Sequence, residues 1–259
     1  MPYVRTLRLL AIGFALQLKM LTRSSFDGFL GVLWPMFFAT VAFFMFRAGA
    51  GGETLVYASF GAAVMGIWSA TSTTAGSAMQ RERWAGTLEL LVAAPTHFAL
   101  VLLPVTIAMS TVGLYSMAAT LLFGRVAFGI DVPLEQPVAF ALALVVTVVS
   151  IGALGFLLAV SFVRYRTAWA LGNMLEYPVW LVAGFLVPLA LLPGWVRPIS
   201  YVLAPTWGMR AIRESSTGGA PLPDVAMCFL LGSIYVALGV LITESVLRSA
   251  RRSASLSLT

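Results

Sequence analysis

Apolar runs of about 20 residues, separated by short polar clusters, dominate this chain. Residues 29–46, 54–78, 98–123, 138–163, about 168–190 and about 222–247 each have the length and composition of a membrane-crossing helix. The pattern predicts an all-α integral membrane protein with six transmembrane helices. Two apolar stretches depart from it. Residues 1–24 are interrupted by Arg5, Arg8, Gln17, Lys19 and Arg23. At about 100° per residue the four cations project within an arc of roughly 60°, with Leu7, Leu9, Leu10, Phe14, Leu16 and Leu18 elsewhere. That is an interfacial helix, its cations facing acidic headgroups. Residues 191–214 hold Pro193, Trp195, Arg197, Pro198, Tyr201, Pro205, Trp207, Arg210 and Arg213. They are too broken by proline for a straight span and too apolar for a solvated loop. Half-inserted external helices with Trp and Tyr at headgroup level fit them.

Between the second and third runs lies a compact charged segment, residues 80–95, with Arg81, Glu82, Arg83 and Glu89. Hydrocarbon does not tolerate four charges so close together, so the segment belongs in water or at the interface. It still reads as a short helix. Gly86 and Thr87 can start it, the Thr hydroxyl capping exposed N–H groups. Glu89 falls in the first turn, where the helix dipole favours an anion. Leu88, Leu91 and Val92 form one apolar face, and Pro95 stops the helix.

Composition agrees with one membrane domain spanning residues 1–259. The chain is 60% hydrophobic and 10% charged, against about a quarter charged in soluble domains. The single Cys228 allows no intrachain disulfide, and the single His97 no His-rich metal site. No Ala-x-Ala cleavage site of a signal peptide follows the first segment. The net charge of +6 reads as topology rather than nucleic-acid binding. Eleven of the 16 Lys and Arg residues fall on the side of both termini and the 80–95 segment, which makes that side cytoplasmic. No P-loop, His-Glu-x-x-His or Gly-x-Ser-x-Gly motif occurs, so no nucleotide, metal or acyl-transfer site is written in the chain.

Some polar residues inside the spans are candidates for a translocation path. Ser69, Thr73 and Ser77 recur every four residues in the second span, a spacing that serves close helix packing or a partly hydrated path. The fifth span carries Asn173, Glu176 and Tyr177. Glu176 lies about nine residues in, roughly 13–14 Å deep at 1.5 Å per residue, where an ionisable side chain is costly and faces protein or a cavity.

Glu82-Arg83-x-x-Gly86-Thr87-Leu88-Glu89-x-Leu91-x-x-x-Pro95 resembles the cytoplasmic coupling segment of type-2 ATP-binding-cassette (ABC) exporter permeases. Leu192-Pro193-Gly194-Trp195, Ala204-Pro205-Thr206 and Ala211-Ile212-Arg213 resemble the external re-entrant helices of drug-resistance-type members. Ala94 departs from the hydroxyl residue often found before the proline. The resemblance implies that Glu82, Arg83, Gly86, Thr87, Leu88, Glu89, Leu91 and Pro95 dock on a separate ABC ATPase, present in two copies. ATP and Mg would bind on that partner, with no cofactor on this chain. It also implies a second permease chain, as a homodimer or with a similar permease, in the inner or plasma membrane. Trp195, Tyr201, Trp207 and Arg213 become candidates for an external gate. The expected cargo is a hydrophobic drug-like molecule or lipid, or alternatively a lipid-linked glycan. A proton-coupled secondary transporter would need a carboxylate relay, and Glu176 is the one deep candidate. A membrane-embedded transferase would need an acid, base or metal cluster, which the scattered Glu residues and lone His do not supply.

Overall fold

The computed structural model describes residues 2–21, 33, 36, 37, 39–41, 43, 44, 52–84, 86, 97–162 and 168–253. All regular structure among them is helical. The order is α1 (Pro2–Leu21), α2 (Gly52–Trp84), α3 (Ala99–Phe128), α4 (Pro137–Phe162), α5 (Ala168–Val182), a 3-10 turn (Leu189–Leu191), α6 (Arg197–Val202), α7 (Ala204–Ser216) and α8 (Leu222–Ser253). The described residues between 33 and 44 are also helical, within the first predicted run.

Four helices among the described residues are long and apolar enough to cross a membrane, over Leu55–Thr73, Ala99–Phe128, Pro137–Ser161 and Leu222–Ser245. The 20-residue α1 is not one of them; Arg5, Arg8 and Lys19 make it too charged. It packs along α3, where a Cβ at Gly13 would meet the Pro104 ring at 3.4 Å. Its Leu7, Ile12, Leu16 and Met20 stay exposed.

Three helix ends differ from the sequence reading. α2 does not stop near residue 78: it continues through Arg81-Glu82-Arg83 to Trp84, 33 residues or about 50 Å. α3 runs to Phe128 and ends in a left-handed Gly129, whose N–H reaches the Arg125 carbonyl (3.0 Å) while the Ile130 N–H reaches that of Gly124 (3.2 Å). α5 ends at Val182 rather than near 190. Gly184, at φ 79°, turns the chain, and Pro188 and Pro193, which lack an N–H, prevent the helix from resuming directly.

The centre of the bundle is α4, which packs on α2, α3, α7 and α8. Lipid tails are as apolar as leucine, so spans associate through steric fit rather than through a hydrophobic drive. Glycines provide that fit. A Cβ at Gly152 of α4 would stand 2.8 Å from the Ile107 Cα of α3, and one at Gly155 2.4 Å from Thr71 Cγ2 of α2. Across the other face, a Cβ at Gly232 or Gly239 of α8 would run into Ser150 or Phe156 of α4. Trp68, Phe60, Ile151, Phe156 and Phe185 fill the interior.

Candidate functional site

Among the described residues, the candidate polar side chains fall in three places. The first is mid-bundle, between α2 and α5. The Ser69 hydroxyl donates to the Glu176 carboxylate, tying the two helices together. Glu176 is buried, so the bond supplies a partner to a group that lipid could not. Thr73 Oγ1 donates to the Ser69 carbonyl at 2.7 Å, within its own helix. Asn173 is half-buried, whereas Tyr177 points outward with its ring edge-on to Trp180, 4.9 Å between centroids. The side chain of Ser77 lies outside the described residues. Of the six path candidates, the structure therefore joins Ser69 and Glu176 directly and sends Tyr177 elsewhere.

The second place is the end of the bundle where α2 begins and α3 finishes. α7 is its keystone. No side chain caps its first turn. Instead Tyr235 of α8 puts its hydroxyl between the two short helices: it accepts from the Ala204 N–H (3.0 Å) and donates to the Val202 carbonyl (2.5 Å). The Cys228 thiol donates to the Ala204 carbonyl at 3.5 Å. Further along α7, Arg210 and Arg213 face opposite neighbours. Arg210 lies over the Trp207 ring (4.9 Å) and pairs with Asp224 of α8 (3.2 Å). Arg213 lies over the Tyr57 ring of α2 (5.1 Å), and the Tyr57 hydroxyl donates to the Gly184 carbonyl beyond α5. Tyr201 and Trp207 adjoin at 5.6 Å, with the indole N–H donating to the Tyr201 carbonyl (2.8 Å). Trp195 stands 73% exposed. The four gate candidates thus split: Tyr201 and Trp207 form a pair, Arg213 belongs to a latch on α2, and Trp195 projects outward.

Below this latch opens a cavity of about 870 Å³. Leu55, Val56, Phe128, Ile130 and Pro188 form its apolar wall, and Arg213, Asp131 and Glu135 its charged rim. Sequence reasoning missed this cavity, Tyr57, Asp224 and Tyr235. An acidic residue in the first turn of a span was a usable signal for Asp224. A lone Tyr among apolar neighbours gave none for Tyr235.

The third place is the opposite end of α2. Glu82 and Arg83 belong to its last turn, and Gly86 follows with φ 67°. A left-handed glycine two residues past a helix is a stop signal, which fits Gly86 at the close of α2. Thr87, Leu88, Glu89, Leu91 and Pro95 lie outside the described residues.

A family model, ABC-2 type transporter, matches residues 12–216. The match starts inside α1, takes in the first and third polar places and the α7 side of the second, and ends on the last residue of α7. Comparison with individually curated proteins gave no match. A match over most of the chain, on a bundle built from membrane-crossing helices, establishes that this protein belongs to the ABC-2 type transporters and is the membrane permease component of an ABC transporter.

Proposed function

We propose that this permease works as an exporter, moving a hydrophobic drug-like molecule or lipid out of the cytoplasm or inner leaflet. Two copies of a separate ATPase supply the energy, and a second permease chain completes the path through six spans per chain. The supporting observation is the length of α2. Its apolar stretch Leu55–Thr73 is long enough to cross a membrane, and the same helix runs on through Arg81-Glu82-Arg83 to Trp84. A continuous rod carries force from residues 80–95 into the bundle, where Ser69 links it to α5 and Gly113 fits against Ile67. Residues 80–95 hold the coupling motif, and Glu89 within it pairs with a basic group on the ATPase, which favours docking and orientation more than raw affinity. The re-entrant motif, which runs from just before α6 into α7, is what favours a hydrophobic cargo over a soluble one.

Pull-down of the tagged full chain from its native membranes should bring an ATPase with it. In the reconstituted complex Glu89→Ala should leave the permease folded but lower substrate-stimulated hydrolysis, or separate hydrolysis from export. Wild-type hydrolysis and export in the variant would remove Glu89 from the coupling contact. Failure of any ATPase to accompany the chain would sink the exporter reading itself.

A further inference from the structure

We infer that the cavity beneath α7 is a binding site for a zwitterionic phospholipid. Its level in the membrane follows from its lining. Leu55 lies in the first turn of α2, Phe128 ends the membrane-crossing α3, and Glu135 precedes α4 by two residues. The cavity therefore sits where hydrocarbon meets headgroups, and its volume of about 870 Å³ falls among ligand pockets of roughly 300–1,000 Å³.

The charges on the rim define the headgroup. Asp131 is paired with Arg125 at 3.6 Å. Among the described residues, neither Arg213 nor Glu135 has an ion-pair partner of its own. Stacking on Tyr57 holds the Arg213 guanidinium in place and leaves its N–H groups free to fork onto a phosphate. Glu135 is anchored through its backbone, its N–H on the Ser216 carbonyl at 3.1 Å, and its carboxylate rests against Gly218. A purely anionic amphiphile would meet Glu135 unfavourably, and a purely cationic one Arg213. A headgroup with a phosphate and an ammonium satisfies both, while Leu55, Val56, Phe128 and Pro188 take the start of an acyl chain. The site is independent of what the transporter carries.

Native mass spectrometry of the full chain in detergent micelles tests this, with dioleoyl phosphatidylethanolamine, dioleoyl phosphatidylglycerol and soluble glycerophosphoethanolamine as separate probes. The expected result is one saturable adduct with the ethanolamine lipid, about tenfold weaker binding of the glycerol lipid, and no adduct with the headgroup alone. Glu135→Gln should bring the two lipids to equal affinity. Thr217→Trp, at an exposed position on the rim, should obstruct the entrance of the cavity and remove the adduct while leaving the Arg213–Tyr57 stack intact. Arg213→Gln should weaken both lipids, with its thermal midpoint recorded because it also releases Tyr57. Equal binding of the two lipids by the wild-type protein would overturn the zwitterionic assignment. Adducts that persist in Thr217→Trp would overturn the cavity as their location, and binding of the soluble headgroup as tightly as the lipid would overturn the membrane ligand.

Discussion

α4 and α7 touch along the Gly208–Thr147 contact, yet they are held in place by different means. α4 is a complete membrane-crossing helix of 26 residues without an acidic or basic residue in its first or last turn. Its backbone is satisfied internally, and what fixes it is chiefly shape, the glycines of α4 and α8 letting neighbours approach to contact, beside one bond from the Ser150 hydroxyl to the Cys228 carbonyl of α8 (3.0 Å). α7 has 13 residues and begins inside the bundle, with Ala204 fully buried. Its first N–H groups have no partner further along the helix, and they are buried at its start. Tyr235 accepts from the Ala204 N–H, the Cys228 thiol donates to the Ala204 carbonyl, and Asp224 and Tyr57 hold Arg210 and Arg213 along its length. A helix that spans lipid can be placed chiefly by sterics. One that begins inside the bundle is wired to its neighbours, and here that wiring uses Tyr57, Arg210, Arg213, Asp224 and Tyr235.

The difference predicts which substitutions hurt, and how. The largest loss should come from added volume in α4. Gly152→Val pushes a branched side chain against the Ile107 backbone and should destabilise by about 3 kcal/mol, the upper end for overpacking. Gly194→Ala, where nothing lies within 4 Å, should change stability by no more than about 0.5 kcal/mol. Thermal midpoints in detergent compare them, and equal shifts would mean that steric fit is not what holds α4. On α7 the losses should be smaller and local. Arg210→Gln strands a buried Asp224, at about 2 kcal/mol; the loss stays below that of a fully buried pair because Arg210 is a third exposed. Adding Asp224→Asn should recover most of it. Tyr235→Phe removes one acceptor and one donor and should cost about 1–2 kcal/mol. Hydrogen exchange should then quicken at the Ala204 amide while the centre of α4 stays protected. Uniform loss of protection would show that α7 is not wired separately.

The same contrast explains what could be read from the chain alone. The runs that became α3, α4 and α8 were legible because a bilayer imposes length and apolarity on every residue of a span. The Pro-rich 191–214 stretch was legible as short helices for the converse reason, since proline and Trp exclude a straight span. Helix ends were read less well. Arg81, Glu82 and Arg83 marked the end of hydrocarbon, but a helix does not stop because its surroundings become aqueous. Gly184 stopped α5 while the sequence was still apolar, through backbone conformation rather than polarity. The cavity and the Tyr57 and Tyr235 contacts were illegible because each joins residues far apart in the chain, Tyr57 with Gly184 and Arg213, and Tyr235 with Ala204.

The smallest expected effect sits on the seam between α2 and α5, which combines both kinds of contact. A Cβ at Gly61 would stand 1.9 Å from the Phe185 carbonyl, a steric fit; eight residues further along α2, Ser69 donates to Glu176. If the polar bond is only structural, its worth lies in giving Glu176 an acceptor's role. Glu176→Gln keeps an acceptor oxygen at that place and should change stability by about 0.5 kcal/mol or less, with transport unaltered. Ser69→Ala removes the donor and leaves the buried carboxyl without it, at about 1 kcal/mol. If the carboxylate instead serves translocation, Glu176→Gln should lower export at unchanged thermal midpoint, and Ser69→Ala should retain more export than Glu176→Gln despite being less stable. The ranking of the two variants therefore reverses between stability and transport in one case and not in the other. Thermal unfolding and export measured on the same preparations distinguish a contact that places two helices from a group that works on cargo.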